Sequence, residues 1–433
     1  MTVMRPSESR NGSGSIAEGY DMKIKTVMKN MVKGYIYDHM LPRCYAKGAR
    51  RKINSRKVLF VDDQYDQMTD SFQVLYDTLV KDYDVEVHTH FLGKSYVSNG
   101  EYMKRARAML ADMSDAGFVF MNVGSEAVSC VKKRPETVIT QLWHACGAFK
   151  KFGMSAARLP GGAGEEAMRR HPFYANLNLV TVSGEAVIPA YEDAMDLNPA
   201  DGIVQALGVS RTDIFYDPER QKQARKNILE RFPAAADKKI ILYAPTFRGN
   251  AGKAQGGAKL NIAEMHRQLG DDYLLLIREH PMVKEKTELP EKLKGSWVCD
   301  ASGDVRIEDL LMTADVCITD YSSLIFEYAL MDKPMIFYAP DLDEYFDQRG
   351  FYVDYESWVP GPVCRDQSRL TEELLRLKLS SSDREAADPF AGKRHAFREE
   401  NMSACDGHAT ERILKAAFGQ AEEQLRRKEG GRS

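Results

Sequence analysis

The chain has 433 residues, of which 43% are hydrophobic and 28% charged, a composition typical of a soluble globular protein with two domains. It has no apolar run of ~18–20 residues and no apolar stretch near its N-terminus, which argues against a transmembrane helix and a signal peptide. Seven cysteines without a C-x-x-C pair argue against a disulfide framework or a zinc site. The net charge is only −3, but the charge is unevenly distributed and one segment is strongly basic.

This basic segment follows a polar tail. Residues 1–20 are rich in Ser, Gly and other polar residues, and we expect them to be disordered. From Asp21 to Lys57, eleven Lys or Arg are opposed by two acidic residues, a local net charge of +9. Apolar residues recur at steps of three and four until Pro42, which breaks or kinks a helix. Residues 21–56 are therefore predicted to form a basic amphipathic helix, which either lies on an anionic membrane surface or packs on its own domain.

Residues 57–216 alternate between apolar strands and amphipathic helices. The predicted strands are Val58–Val61, Val85–His90, Gly117–Met121, Thr137–Trp143, Leu177–Val182 and Ile203–Leu207. The predicted helices are Asp70–Lys81, Glu101–Met113 and one that Ser183 and Gly184 open and that ends at Met195. This rhythm predicts a parallel sheet with helices on both faces, as in a Rossmann-like domain.

A highly charged linker helix, Pro218–Phe232, is predicted within residues 217–238, and the same architecture returns in residues 239–408. The predicted strands of this second half are Lys239–Tyr243, Tyr273–Arg278, Asp315–Thr319 and Pro334–Tyr338. Its predicted helices are Ile262–Leu269, Ile307–Met312, Ser323–Met331 and Leu370–Leu379. In residues 409–433, a closing helix, Ala409–Arg427, is expected to return to the first domain before a frayed tail. The sequence thus predicts an α/β protein with two Rossmann-like domains.

Each half carries a histidine just past a predicted strand, His144 in the first and His280 in the second. In open α/β sheets, ligands bind at the carboxyl ends of strands, so the two imidazoles could face each other across a cleft. His144 leads into a turn with Gly147 and is a candidate general base. Lys150 and Lys151 follow and could receive an anionic acceptor. Alternatively, both histidines are structural.

The segment Asp320–Ser323 precedes an apolar helix and offers capping oxygens. The free N–H groups and partial positive charge of a helix start suit a phosphate, to which the hydroxyls of Ser322 and Ser323 can donate. Glu327, in the same helix, is a candidate ligand for a ribose hydroxyl or a base edge. The alternative is an ordinary helix cap.

Two further segments contain arginines that suit phosphate, because a guanidinium binds it through a planar fork. Thr246 and Arg248 follow the strand Lys239–Tyr243 and are expected to point into the cleft. Arg349 stands beside the flexible Gly350, although a lone arginine is usually a surface ion pair.

Six motifs in this order resemble those of the CDP-glycerol glycerophosphotransferase family: W-H, K-K-F-G, Y-A-P-T-F-R, R-E-H-P, T-D-Y-S-S-L-I-F-E and R-G-F-Y. The resemblance runs from about Arg51 to Val363 and includes the basic N-terminal segment. It implies a GT-B architecture, with an acceptor domain and a donor domain facing across a cleft. The sequence departs from the family at Ala145, where glycine is common, and at Arg278 and Glu279, where a lysine-containing pair is usual.

The resemblance also implies an activity. Glycerol phosphate or ribitol phosphate would pass from CDP-glycerol or CDP-ribitol to a hydroxyl of a lipid-linked or polymeric polyol-phosphate acceptor, with release of CMP, in teichoic-acid-like or capsule polymer synthesis. It assigns the base to His144, donor-phosphate contacts to His280, and the pyrophosphate-binding turn to Asp320, Ser322 and Ser323. Arg349 would lie near the donor. No metal ligand or cofactor is predicted, and Mg²⁺ assistance stays open.

The expected location is the cytoplasmic face of the cell membrane, with the enzyme bound peripherally. Two alternatives stay open: a GT-B nucleotide-sugar glycosyltransferase and a non-catalytic scaffold on a membrane surface. Nucleic-acid binding is disfavoured, since the basic segment has few aromatic residues beyond Tyr35 and Tyr37 to stack on bases. The sequence predicts no oligomeric state.

Overall fold

The structure is a computed structural model that describes residues 27–160, 162–249, 254–281, 283–303, 305–379 and 388–427. The side chains of residues 347–349 and 379 also lie outside the description. The predicted tail, the first residues of the basic segment and the frayed C-terminus therefore fall outside the described residues, as does the side chain of Arg349.

The first half of the chain forms one parallel sheet. Its strands are β1 (Asn54–Asp62), β2 (Glu86–Phe91), β3 (Ala116–Met121), β4 (Val138–Gln141), β5 (Leu179–Thr181) and β6 (Val204–Gln205). Their order in the sheet is β2-β1-β3-β4-β5-β6, and every neighbouring pair is parallel. All six predicted strands are confirmed, with ends that differ by a few residues.

A second parallel sheet follows. Its strands are β7 (Lys239–Ala244), β8 (Tyr273–Ile277), β9 (Val298–Asp300), β10 (Val316–Thr319), β11 (Met335–Tyr338) and β12 (Val363–Cys364). The order is β12-β11-β10-β7-β8-β9. The four predicted strands form its centre, whereas the short strands at its two edges, β9 and β12, were not predicted.

The helices surround these sheets. Those of the first half are α1 (residues 27–35), α2 (Leu41–Gly48), α3 (Asp70–Asp82), α4 (Asn99–Met113), α5 (Glu126–Ser129), α6 (Gly153–Ala157), α7 (Glu165–Arg170) and α8 (Ile188–Met195). The rest are α9 (Pro218–Arg231), α10 (Ile262–Leu269), α11 (Ile307–Thr313), α12 (Leu324–Ala329), α13 (Leu342–Arg349), α14 (Tyr355–Trp358), α15 (Gln367–Leu379), α16 (Ala391–Asn401), α17 (Ala409–Phe418) and α18 (Glu422–Leu425).

Each sheet is buried on both faces, because alternate residues of its central strands belong to different apolar clusters. In β1, Val58 and Phe60 pack in one cluster, while Leu59 and Val61 pack in another. The residues of β7 alternate in the same way. This pattern explains why the central strands are continuous apolar runs in the sequence.

The closing helix was predicted as one element, but the structure divides it into α17 and α18. The break lies at Gly419, whose φ of +52° is a left-handed conformation that favours glycine. As expected, this segment returns to the first half: Ile413, Leu414 and Phe418 join the cluster that contains Val58 and Phe60.

The N-terminal basic helix is divided by a π-helical turn, Ile36–Met40, just before Pro42. Proline has no N–H to donate back along the helix, so the regular bonding pattern is interrupted there. The turn and the helix after it pack on the first half, through buried Tyr37 in the turn and buried Leu41 and Tyr45 in α2.

Candidate active site

His144 lies beyond the end of β4 and follows a residue in an unusual conformation. Trp143 has a φ of +63°, which is costly for a bulky side chain and persists only when neighbours hold it. Its ring packs against Phe152 and Tyr191, at centroid distances of 5.0 and 6.2 Å. The His144 ring packs against the Trp143 ring, with the two centroids 4.3 Å apart. The aromatic cluster therefore fixes the turn that presents His144.

The surroundings of His144 favour a neutral imidazole. One part of the ring is exposed to a pocket, but the enclosing protein lowers its pKa to about 4, and the charge of Arg211 acts in the same direction. A hydrogen bond with the backbone of Asn122 opposes this shift. The Asn122 amide donates to Asp62 at 2.7 Å, which ties the ends of β1 and β3 to the histidine. At neutral pH the ring can therefore accept a proton.

The turn after His144 touches the second half of the molecule at Gly147. A Cβ atom there would lie 2.1 Å from Cε1 of Phe326 in α12, and φ is +47°. Only glycine allows this approach without displacing the ring. The Gly147 N–H also donates to Ser183 at 3.1 Å.

His280 lies just beyond β8, in the second half. Its ring is 4.7 Å from that of Phe247, and burial lowers its pKa, assisted by the charges of Lys150 and Arg278. A pocket of about 520 Å³, a volume typical of ligand sites, is lined by both His144 and His280. The structure thus brings the two predicted histidines together in one crevice.

Five further predicted residues line the same pocket: Lys150, Thr246, Ser322, Ser323 and Glu327. The hydroxyl of Thr246 is buried and has no hydrogen-bond partner among the described residues. Such an orphaned hydroxyl at a pocket wall is a natural contact for a ligand oxygen. Lys151 and Gly350 do not line this pocket. Instead, the Lys151 N–H donates to the Gly350 carbonyl at 3.1 Å, which pairs the two halves of the chain.

Arg248 and Asp320 were predicted to contact the substrate, but the structure places them against each other. The Arg248 guanidinium donates to Asp320 at 2.8 Å and to both carboxylate oxygens of Asp341. Asp320 also accepts the backbone N–H groups of Thr246 and Tyr321, at 2.7 and 2.6 Å. Neither residue lines the pocket, so their evident effect is to hold the segments that carry Thr246 and the serines.

The predicted capping of α12 differs in detail from the structure. The helix begins at Leu324, and the hydroxyl of Ser323 makes no capping bond. Ser322 instead accepts the N–H of Leu324, at a long 3.4 Å. Because both serines line the pocket, their hydroxyls are placed to serve a ligand.

Sequence reasoning did not identify the residue that pairs with Glu327. Arg211, in the 3₁₀ segment Ser210–Tyr216 of the first half, forms an ion pair with this carboxylate. Both side chains line the pocket and are largely buried. The second carboxylate oxygen of Glu327 and Nε of Arg211 have no hydrogen-bond partner among the described residues. No periodic pattern marks Arg211, and its partner is 116 residues further along the chain.

Arg278 and Glu279 also line the pocket, as does Glu308, and sequence reasoning assigned none of them a role. Arg278 donates to the Ala301 carbonyl at 2.8 Å, and its burial lowers its pKa. Glu279 and Glu308 each keep one buried carboxylate oxygen without a hydrogen-bond partner in the described part of the chain.

Within the residues that the structure describes, no cluster of three or more His, Cys, Asp and Glu side chains has the arrangement of a metal site. His88 and His90 both contact the same oxygen of Asp112, at 2.7 and 2.8 Å.

Comparisons with known proteins agree with this picture. A sequence model of the family described as CDP-glycerol:poly(glycerophosphate) glycerophosphotransferase matches residues 44–419. The chain belongs to this family. The predicted resemblance is thus confirmed, and with it the class of enzyme, a transferase of polyol phosphate from a CDP-linked donor. This assignment favours the transferase over the two alternative functions.

Relatives within the family handle different polyols. The chain is 32% identical over 365 residues to a teichoic acid ribitol-phosphate primase of Bacillus spizizenii, covering 83% of this chain and 90% of the relative. It is also 32% identical over 247 residues to a teichoic acid glycerol-phosphate primase of Bacillus subtilis, covering 57% and 61% of the two chains. Overall identity therefore does not decide between glycerol and ribitol.

The fold matches that of the wall teichoic acid polymerase TagF, with a TM-score of 0.70. The alignment covers 93% of this chain and 99% of that one, at 20% sequence identity. This match confirms the predicted two-sheet α/β fold.

Proposed function

We propose that the enzyme transfers glycerol phosphate or ribitol phosphate from CDP-glycerol or CDP-ribitol to the hydroxyl of a polyol-phosphate acceptor, with release of CMP. The observation that carries the proposal is the shared pocket, in which His144 from one half and His280 from the other meet. The same pocket is lined by donors that suit a diphosphate: the ammonium group of Lys150 and the hydroxyls of Thr246, Ser322 and Ser323.

In the proposed reaction His144 is the general base. The acceptor oxygen forms a bond to the phosphorus that bears the polyol, and the bond from this phosphorus to the oxygen of CMP breaks. The proton of the acceptor hydroxyl passes to the imidazole, which is neutral because its pKa is low. CMP needs charge neutralisation more than a proton, because the second pKa of a phosphate monoester is about 6.

The charge that develops on the leaving phosphate is stabilised by donors of the second half. His280, Ser322 and Ser323 line the pocket from the second half, and Lys150 lines it from the first half. Preorganised donors of this kind account for a large part of many enzymatic rate accelerations. Glu327, with its unpartnered oxygen, is proposed to accept a ribose hydroxyl or a base amino group of the donor.

We also propose that the N-terminal helix attaches the enzyme to the inner face of the cell membrane, where a lipid-linked or polymeric acceptor is extended. Five large apolar residues at the start of the described chain have between 57% and 69% of their surface exposed: Val27, Met28, Met31, Val32 and Tyr35. Exposed basic side chains follow in α2 and β1, among them Lys47 and Arg56. An apolar face beside basic residues is the pattern of a helix that lies on an anionic bilayer.

Among the described residues, no helix has both the length and the apolar character needed to span a bilayer. Attachment through the N-terminal helix is tested by sedimentation with vesicles of anionic or neutral lipid. The double variant Met28→Glu/Met31→Glu should lose binding to anionic vesicles. The matched control Val80→Glu, which changes an apolar residue exposed elsewhere, should retain it. Equal binding by both variants would reject this role of the helix.

The activity is tested by incubating the purified enzyme with a CDP-polyol and a glycerol-phosphate-bearing lipid acceptor. CMP release and the mass of the product are measured together, and CDP-glycerol is compared with CDP-ribitol. UDP-sugars serve as controls for the glycosyltransferase alternative. Acceptor-dependent release of CMP and a product heavier by one polyol phosphate are expected. Sugar transfer from a UDP-sugar, with both CDP-polyols inert, would refute the proposal.

A further inference from the structure

A second pocket, of about 270 Å³, adjoins the pocket that holds the two histidines. The two pockets have five lining residues in common: His144, Lys150, Thr246, Phe247 and Ser323. His280 lines only the first. The proposed base therefore stands where two adjoining pockets meet, an arrangement that suits a reaction between two substrates.

The linings of the two pockets differ in charge. The first mixes both signs: it includes four carboxylates, those of Asp70, Glu279, Glu308 and Glu327, and the cations of Lys150, Arg211 and Arg278. Among the described residues, the second is lined by no carboxylate, and its charged side chains are lysines. The remaining walls of the second pocket are largely aromatic. The second pocket is therefore suited to an anion without competing carboxylates, whereas the first offers Lys150 and Arg278 to a diphosphate and its carboxylates to hydroxyl and amino groups.

Lys151 is the charged residue that belongs to the second pocket alone. Its backbone N–H is fixed by the Gly350 carbonyl at 3.1 Å, so the position of the residue is set by the pairing of the two halves. Its side chain is half-buried, and within the described part of the chain its ammonium group forms no ion pair. Lys150, in contrast, borders both pockets.

We propose that this second pocket is the acceptor subsite, and that it binds the terminal polyol-phosphate unit of the acceptor. The phosphate lies at Lys151, and the terminal hydroxyl lies at His144. This inference rests on the proposed function and deepens it, because it assigns one pocket to each substrate. The hydroxyl enters from the second pocket and attacks the phosphorus held in the first. The proton passes to His144, and CMP leaves on the donor side.

The aromatic walls serve the same reaction. Trp143, Phe149 and Phe326 contribute apolar surface next to His144. Apolar surface around the attacking hydroxyl excludes water, which would otherwise compete as a nucleophile and hydrolyse the donor. A short polyol that carries a phosphate and a hydroxyl fits this pocket, because Lys151 is cationic and the aromatic residues next to His144 are apolar.

The subsite is tested by calorimetric binding of a synthetic glycerol-phosphate trimer and, separately, of CDP-glycerol. The variants are Lys151→Ala, the charge-conserving Lys151→Arg, and Lys415→Ala, which removes an exposed lysine far from either pocket. Lys151→Ala should raise the Kd of the trimer about tenfold, as expected for one lost charge-assisted hydrogen bond. Lys151→Arg should stay within about twofold of the parent, and Lys415→Ala should bind as the parent does. None of the variants should change the Kd of CDP-glycerol.

Three outcomes would overturn the assignment: a trimer that does not bind the parent, a trimer that binds Lys151→Ala as tightly as the parent, or an equal loss of CDP-glycerol affinity in that variant. The last would place Lys151 at the donor. Failure of the enzyme to release CMP from a CDP-polyol would refute the proposed function, but it would leave the trimer measurement valid. The two failures are therefore distinguishable.

Discussion

The ion pair between Arg211 and Glu327 joins the two halves of the molecule beside the proposed base, and its energetic weight can be derived from its burial. The Glu327 side chain is 5% exposed and that of Arg211 is 18% exposed. Removing one partner of a buried pair leaves an uncompensated charge, which costs about 3–5 kcal/mol. Arg211→Met leaves the more buried partner, Glu327, charged and without an opposite charge, so it should lower the free energy of unfolding by an amount in this range.

The companion change, Glu327→Gln, should cost less, because Arg211 keeps some access to the pocket. The double variant Arg211→Met/Glu327→Gln removes both charges and should be more stable than the sum of the single effects predicts. A coupling energy above about 1 kcal/mol is expected for residues in direct contact. Urea unfolding followed by circular dichroism measures all four proteins.

A matched control is the ion pair between Arg306 and Asp70. It has an N···O distance of 3.0 Å, but its side chains are 46% and 50% exposed. An exposed pair of this kind is worth about 0–1 kcal/mol, so its cycle should show little coupling. If the Arg211 and Glu327 effects were additive within about 0.5 kcal/mol, the claim that this buried pair stabilises the site would be refuted.

Three further predictions concern the same site. Gly147→Ala places a methyl group against the Phe326 ring, and calorimetry should show that the free energy of unfolding falls by about 1–3 kcal/mol. An unchanged melting temperature would contradict the close approach of the two residues. The pH profile of kcat/KM tests the lowered pKa of His144: kcat/KM should stay level from about pH 8 to about pH 5 and fall only as the ring is protonated near its pKa of about 4. A fall in kcat/KM near pH 6.5, where an ordinary imidazole is protonated, would contradict this. Asp320→Ala leaves three donors unsatisfied and should lower stability by several kcal/mol in urea unfolding, while Asp343→Ala, at an exposed carboxylate, should change it by less than ~0.5 kcal/mol.

Central strands of both sheets were predictable because they are buried on both faces, which requires uninterrupted apolar runs such as Leu274–Ile277. The edge strands β9 and β12 were not, since they have only three and two residues and carry no such run. The closing helix was predicted too long because the periodic pattern continues across Gly419, where the backbone turns.

For the site, the histidines were predictable because strand ends are positions defined by local sequence. Contacts between distant segments were not. Arg248 and Asp320 both have the chemistry of phosphate ligands, but 72 residues separate them and the fold uses each to neutralise the other. Arg211 lies in a short 3₁₀ segment without periodicity, so only its position in the fold reveals that it lines the pocket.

The central claim is that His144 is the base of the transfer reaction, and the most direct measurement is a comparison of His144→Ala with the parent enzyme. CMP release under saturating substrates and the Kd of CDP-glycerol are determined for both proteins. Loss of a general base costs about 10²–10⁴-fold in turnover, so the variant should be slower by that factor while it binds the donor with unchanged affinity. Turnover within a few-fold of the parent would contradict the account.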